Sequence, residues 1–195
     1  MSDLKRGISR RRVVKTGMAG ILATGVSPLI LSKGAWAQEF CNAPTGDTVT
    51  LGFNVPQTGA YADEGADELR AYQLAVEHLN GEGDGGLIPH FSSKTLTGSG
   101  ILGKRVEYVT GDTQTQSDPA RASAKRMIEA DKAIMISGGS SSGVAIAVQS
   151  LCQDMGIIFM AALTHSNDTT GKDKRRYGFR HFFNAYQSGV GLGPQ

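Results

Sequence analysis

The chain has 195 residues with 20 basic and 18 acidic side chains, a formal charge of +2, a mean hydropathy of −0.20 and two cysteines. That is long enough for one domain with its own core and too short for two large ones. The basic excess is confined to the first 37 residues, so it does not form the electrostatic footprint that phosphate backbones require.

In chain order, the first feature is Ser9-Arg10-Arg11-Arg12-Val13-Val14-Lys15, then an apolar run from Met18 to Leu31, then Ala35-Trp36-Ala37. A basic start, a short apolar centre and small residues before a cleavage point make a twin-arginine export signal, with cleavage expected after Ala37. Gly25 and Pro28 interrupt the apolar run, which falls short of the ~20 residues needed to cross a bilayer. Seven basic residues and one acidic residue leave with the signal, so the mature 158 residues hold 13 and 17, a formal charge of −4. Nucleic acid is therefore not an expected partner. The mature chain is expected in the periplasm without stable membrane insertion.

Residues 38–47 read as a linker. In an oxidising compartment Cys41 and Cys152 are permitted to bridge, closing a loop of about 100 residues worth about 4 kcal/mol; two separate thiols are the other reading.

From residue 48 onward strand-like and helix-like segments alternate, as in an open parallel sheet covered by helices on both faces, a three-layer α/β fold. Val49 to Val55 is β-branched and apolar and stops at Pro56. Leu69, Tyr72, Val76 and Leu79 then share one helical face. Gly81 to Gly103 is rich in Gly, Ser and Thr and reads as a surface insertion. Its last six residues spell G-x-G-x-x-G, but they precede a strand, whereas a dinucleotide fingerprint follows one and opens a helix. No cofactor is expected. Arg105 to Thr110 forms the second strand, and Asp118-Pro119 opens a helix carrying Ala124, Met127 and Ile128. Ala133 to Ser137 is the third strand. Ser140 to Ser142 caps a helix with Val144, Ala147, Val148, Leu151 and Met155 inward, and Ile157 to Met160 is the fourth strand. Tyr177 to Ala185 is a candidate fifth, with Phe179, Phe182 and Phe183 expected in the core.

The chemistry concentrates in Ser137-Gly138-Gly139-Ser140-Ser141-Ser142-Gly143, between a buried strand and a helix start. Three readings stand: a cradle for a carboxylate or other anion, built from first-turn amides and serine hydroxyls; a simple serine cap; and a nucleophile elbow. In the last, Gly139 to Gly143 matches G-x-S-x-G, Ser141 is the nucleophile, and Asp154, Asp168 or Asp173 precedes His181 in hydrolase order. A second loop, Ala161 to Asn167, leaves the fourth strand, and ligands of open α/β sheets bind at this carboxyl edge. If the two strands are neighbours, about 4.8 Å apart, Ser140 and Thr164 can meet one small ligand. His165 in that loop is a possible base, donor or plain loop residue. His78, His90, His165 and His181 show no metal-ligand spacing.

The stretches Leu51-Gly52-Phe53-Asn54-Val55-Pro56-Gln57-Thr58-Gly59-Ala60-Tyr61, Gly111-Asp112 through Asp118-Pro119, the serine loop, and Ile157-Ile158-Phe159-Met160 leading to Thr164 together resemble the periplasmic branched-chain amino-acid and amide binding proteins. These are solute receptors of ABC importers with a type I periplasmic-binding fold. The resemblance implies a non-enzymatic receptor that captures a small amino acid or amide and presents it to an inner-membrane permease. It implies ligand contacts at Ser140, Ala162 and Thr164, with Tyr61 lining the ligand side chain; Ser141 and His165, beside them, are further ligand-binding candidates. The insertion is longer than the usual turn, and His165 stands where smaller polar residues are common. The resemblance covers residues 48–195 as the first of two lobes, so the second lobe is expected to be absent, the sequence being either a fragment of a longer receptor or a single-lobe product. One half of a clamp is expected to bind amino acids no tighter than about millimolar, roughly 4 kcal/mol. The runner-up is a secreted serine hydrolase using Ser141.

Overall fold

The computed structural model of the chain describes residues 41–82 and 98–193. The export signal, the cleavage point after Ala37, His90 and most of the Gly81 to Gly103 insertion lie outside the described residues.

Among the described residues, five strands and four α-helices follow one another along the chain. They are β1 (Thr48–Val55), α1 (Ala62–Leu79), β2 (Arg105–Asp112), α2 (Ser117–Glu129), β3 (Met135–Gly138), α3 (Ser142–Asp154), β4 (Ile158–Ala161), β5 (Gly178–Arg180) and α4 (Ala185–Leu192). All strand pairs are parallel, in the order β2-β1-β3-β4-β5. The register sets Val55 opposite Asp112, Asn54 opposite Gly138, Gly138 opposite Ala161, and Ala161 opposite Arg180. Every strand therefore releases its loop at one edge, and β3 and β4 are direct neighbours. The order reverses between β1 and β3, where sheets of this kind open a crevice.

Alternation along β1 explains the layering, because successive side chains point to opposite faces. Val49, Leu51 and Phe53 meet Val76, Leu69, Tyr72 and Leu79 of α1 on one face. On the other, Ile136, Phe159 and Ala161 pack with Ala124, Met127 and Ile128 of α2 and Val144, Val148 and Leu151 of α3. Phe53 and Tyr72 stack with ring centroids 4.4 Å apart, a contact worth about 1 kcal/mol beyond the area it buries. Polar clips then set the helix positions. Asn54, buried in β1, donates to the Ala120 carbonyl at 2.8 Å and accepts from the Ser123 hydroxyl at 2.6 Å. Asn80, just past α1, exchanges two hydrogen bonds with the Val106 backbone at 2.8 and 2.9 Å.

Several expectations need correction. Helix α2 begins at Ser117, so Asp118 lies within its first turn and Gln116 occupies the cap position. In α3 the inward residue is Ala145, while Ala147 is only half-buried and its carbonyl accepts from Arg121. The bridge between Cys41 and Cys152 is not made. Cys152 is fully buried in the α2–α3 core, its thiol pushed up to about 12 by desolvation, and Cys41 is exposed. The phenylalanines are not core either: Phe179 and Phe183 are each 49% exposed, and no residue of α4 is buried. Sequence 98–103 forms a tight turn, with Ile101 and Lys104 exchanging backbone hydrogen bonds at 2.9 Å ahead of β2, consistent with the fingerprint being fortuitous. Asn42, within the expected linker, is held against the domain, its side chain donating to the Ile128 and Ala133 carbonyls at 2.9 Å.

One glycine is indispensable to the carboxyl edge. Gly138 ends β3 with φ of 130°, and a Cβ there would collide with the Asn54 backbone carbonyl across the sheet. Gly138→Ala is expected to destabilise the chain by about 3 kcal/mol, read as a lowered midpoint in urea unfolding.

Candidate functional site

The loops leaving β3 and β4 carry most of the predicted residues to one place. Gly138 and Gly139, both with positive φ, turn the chain sharply out of β3. Ser141 then takes the cap position of α3, whose first internal hydrogen bond runs from the Ala145 amide to the Ser141 carbonyl at 2.9 Å. The amides of Ser142, Gly143 and Val144 precede that bond and have no partner within the helix. They carry the positive end of the helix dipole to the sheet edge.

Behind this helix start lies a residue that sequence reasoning missed. Glu68 of α1 is only 6% exposed, and its carboxyl group faces the serine loop. The Ser140 hydroxyl donates to Glu68 Oε2 at 2.7 Å, and the Tyr72 hydroxyl lies 2.8 Å from Oε1. Tyr72 in turn lies 2.8 Å from the Ser137 hydroxyl, which is 3.0 Å from the Met160 carbonyl of β4. Desolvation is the largest influence on Glu68 and raises its pKa, against hydrogen bonds from Ser140 and Tyr72 and the nearby charge of His181. Desolvation also raises Tyr72, with the Glu68 carboxyl adding to it. A signal was present in the sequence. Glu68 lies four residues before Tyr72 on the stripe Tyr72, Val76, Leu79, so an acid occupies the buried face of α1.

An open cavity of about 280 Å³ adjoins this network, lined by Asp67, Glu68, Ala71, Tyr72, Ala162, Leu163 and His181. Ala162 is buried, its amide donating to the Gly138 carbonyl at 3.2 Å and its carbonyl accepting from the Thr164 amide. Thr164 is fully buried, and its Oγ1 has no hydrogen-bond partner. The other two candidates stand farther out. His165 is exposed, its ring set edge-on to Phe182 and Phe183 with centroids 5.0 and 5.1 Å away, and His181 rather than His165 lines the cavity. Tyr61 is 42% exposed at the cap of α1, with its amide donating to Thr115 Oγ1 at 3.2 Å.

The backbone of a nucleophile elbow is not formed at Ser141. Ser141 has φ −81° and ψ 128°, ordinary extended backbone rather than the strained turn of an elbow. Asp154 is at the opposite end of α3, about 20 Å along the helix axis. Among the described residues no cluster of three metal-capable side chains occurs, and no helix is long and apolar enough to cross a membrane.

Residues 48–195 match the family model described as periplasmic binding protein. The chain belongs to that family. An amino acid binding protein of Pseudomonas aeruginosa is 30% identical over 140 residues, covering 71% of this chain and 30% of its own length. Among solved structures, a branched-chain amino acid transporter substrate binding protein of Streptococcus pneumoniae, in complex with isoleucine, superposes with a TM-score of 0.57 at 24% identity. It covers 70% of this chain and 34% of its own length. A solute binding protein of an ABC transporter from Rhodopseudomonas palustris, in complex with 3,4-dihydroxy benzoic acid, gives 0.57 at 22% identity, covering 71% and 33%. The chain thus spans about a third of the length of these relatives, and the two structures share its fold.

Asp112, at the end of β2, holds the loop that carries Tyr61. Asp112 accepts from the Gln57 and Gln114 amides at 2.9 Å, the Thr58 amide at 3.2 Å and the Thr58 hydroxyl at 2.7 Å. Partial burial pushes its pKa upward, but these four bonds outweigh it and hold the carboxyl below the usual carboxylate range. A lowered pKa stabilises the fold above the ordinary carboxylate range, and that contribution disappears as pH falls through the folded value. Asp112→Ala is expected to cost about 1 kcal/mol at neutral pH in this exposed setting, the difference from the parent chain narrowing as pH falls through the Asp112 titration. Paired urea titrations across pH check this.

Proposed function

We propose that this chain is the first lobe of the substrate-binding component of an ABC importer. It takes a small amino acid or amide in the periplasm and presents it to an inner-membrane permease. Export through the twin-arginine signal, with cleavage after Ala37, precedes a short linker at residues 38–47 and the ligand-holding lobe at residues 48–195. The role is one of binding and release and needs no catalytic group or cofactor.

The observation that carries this reading is the start of α3 at the carboxyl edge, where unpaired first-turn amides stand beside the Ser140 hydroxyl and the β4 loop. An anionic group is stabilised there by the helix dipole and by direct N–H donation. Isoleucine and 3,4-dihydroxy benzoic acid, the ligands of the two relatives, share a carboxylate, which is the group such a cradle accepts. In the proposed pose the carboxylate meets the amides after Ser140 and Ser141. Its amino or amide nitrogen turns to the Ala162 carbonyl. Tyr61 and His165 flank the side chain from the outer loops. Thr164, buried with an unpaired hydroxyl, reaches the ligand after a small movement of the β4 loop.

The relatives favour the amino acid over the amide as the first ligand to try. L-isoleucine added to the uniformly ¹⁵N-labelled chain is expected to shift the amide signals of Ser140 to Val144 and Ala162, saturating in the range of about millimolar. Shifts confined to other surfaces, or none at about ten millimolar, would remove the cradle from the account.

A further inference from the structure

The oxygens behind Ser140 form a chain of three contacts: Glu68 Oε1 to Tyr72 at 2.8 Å, Tyr72 to Ser137 at 2.8 Å, and Ser137 to the Met160 carbonyl at 3.0 Å. Each contact needs one proton between its oxygens, because two lone pairs facing each other at these distances repel. The Met160 carbonyl only accepts. Tyr72 and Ser137 supply one proton apiece, and the Ser140 proton is already committed to Oε2. An ionised Glu68 therefore leaves one of the three contacts empty. A proton on Oε1 completes the chain in one direction, with Glu68 donating to Tyr72, Tyr72 to Ser137 and Ser137 to the carbonyl. Ser140 still donates to Oε2.

The surroundings agree with this count. Glu68 is 6% exposed and forms no ion pair among the described residues. Helix α1 presents Asp67 and Tyr72 near it, and the segment after β5 presents His181. The strands β3 and β4 and their loops bring only Ser137, Ser140, the Met160 carbonyl, Ala162 and Leu163, none of them charged. Burial disfavours the carboxylate, and among the described residues the one cationic candidate, His181, is itself exposed.

We propose that Glu68 is a specificity residue of the cradle that works as a neutral carboxylic acid, so that a ligand carboxylate settles beside Ser140 only while Glu68 keeps its proton. This rests on the placement of the ligand carboxylate at the start of α3 given above. Losing the proton would set a negative charge directly behind Ser140 and disfavour an anionic group there. Binding of a carboxylate is thus linked to the proton, weakening as pH rises through the Glu68 titration.

The test has two arms on the full chain. In the first, ¹³C spectroscopy follows the side-chain carboxyl carbon of Glu68, assigned through bonds, between about pH 4 and about pH 9 without ligand. The expected result is a midpoint clearly above the ordinary glutamate range; a midpoint within or below it overturns the proposal. In the second, L-isoleucine affinity is read from the cradle amides over the same range, where the amino acid keeps its own charges near neutrality. Affinity is expected to fall about tenfold or more across the Glu68 midpoint and to become flat in Glu68→Gln, whose amide donates to Tyr72 as the acid does. Because histidines titrate in the same window, the slope must also persist in His181→Gln. A raised carbon midpoint with pH-independent isoleucine binding overturns the proposal and leaves the receptor reading intact. A raised midpoint with no cradle shifts at any pH overturns the placement of the ligand, and the coupling with it.

Discussion

The structure depends on one arrangement: β1, β3 and β4 lie side by side, parallel and in register, so that their carboxyl ends coincide. A parallel sheet buried on both faces requires helical crossovers, and each crossover returns the chain to begin the next strand at the same end. Loops that are far apart in sequence therefore meet at one edge. Asn54, Gly138 and Ala161 mark that edge, and from it the chain leaves β3 through two positive-φ glycines directly into the start of α3.

Packing and polarity are matched around this edge. Helix α1 covers β1 and β3 with an apolar stripe, but the stripe ends in Glu68 and the Tyr72 hydroxyl where it reaches the loops. These two residues tie α1 to β3, to the serine loop and, through Ser137, to β4. Buried polar groups cost stability unless every donor and acceptor is satisfied, so such a network has few alternative geometries. It holds Ser140 at a fixed distance from the first amides of α3, which is the preorganisation a binding site needs.

The strands and the first three helices were legible because buried parallel strands read as continuous apolar runs and α1 to α3 carry clear helical stripes. Serine and threonine at the strand ends identified the edge, and the adjacency of β3 and β4 was a stated condition that the sheet order satisfies. Glu68 escaped because a glutamate on a helix is by default solvated; only its position on the stripe with Tyr72 distinguished it. His165 and His181 were not separable in sequence, since which of two loop histidines faces a cavity depends on how β5 returns. The phenylalanines near the end were read as core, yet Phe182 and Phe183 gather around His165 and Phe179 is half exposed, while the residues of α4 remain accessible. Composition reports what a residue prefers, and not what the fold places against it.

The central claim is that the start of α3, backed by Ser140 and Glu68, is where a ligand carboxylate is held. A crystal structure of the chain grown with a saturating concentration of L-isoleucine tests it most directly. Density for the carboxylate is expected within hydrogen-bond distance of the Ser141 to Gly143 amides, with the side chain toward Tyr61. Density for the amino acid at another part of the surface, with the α3 amides still open to solvent, would contradict it.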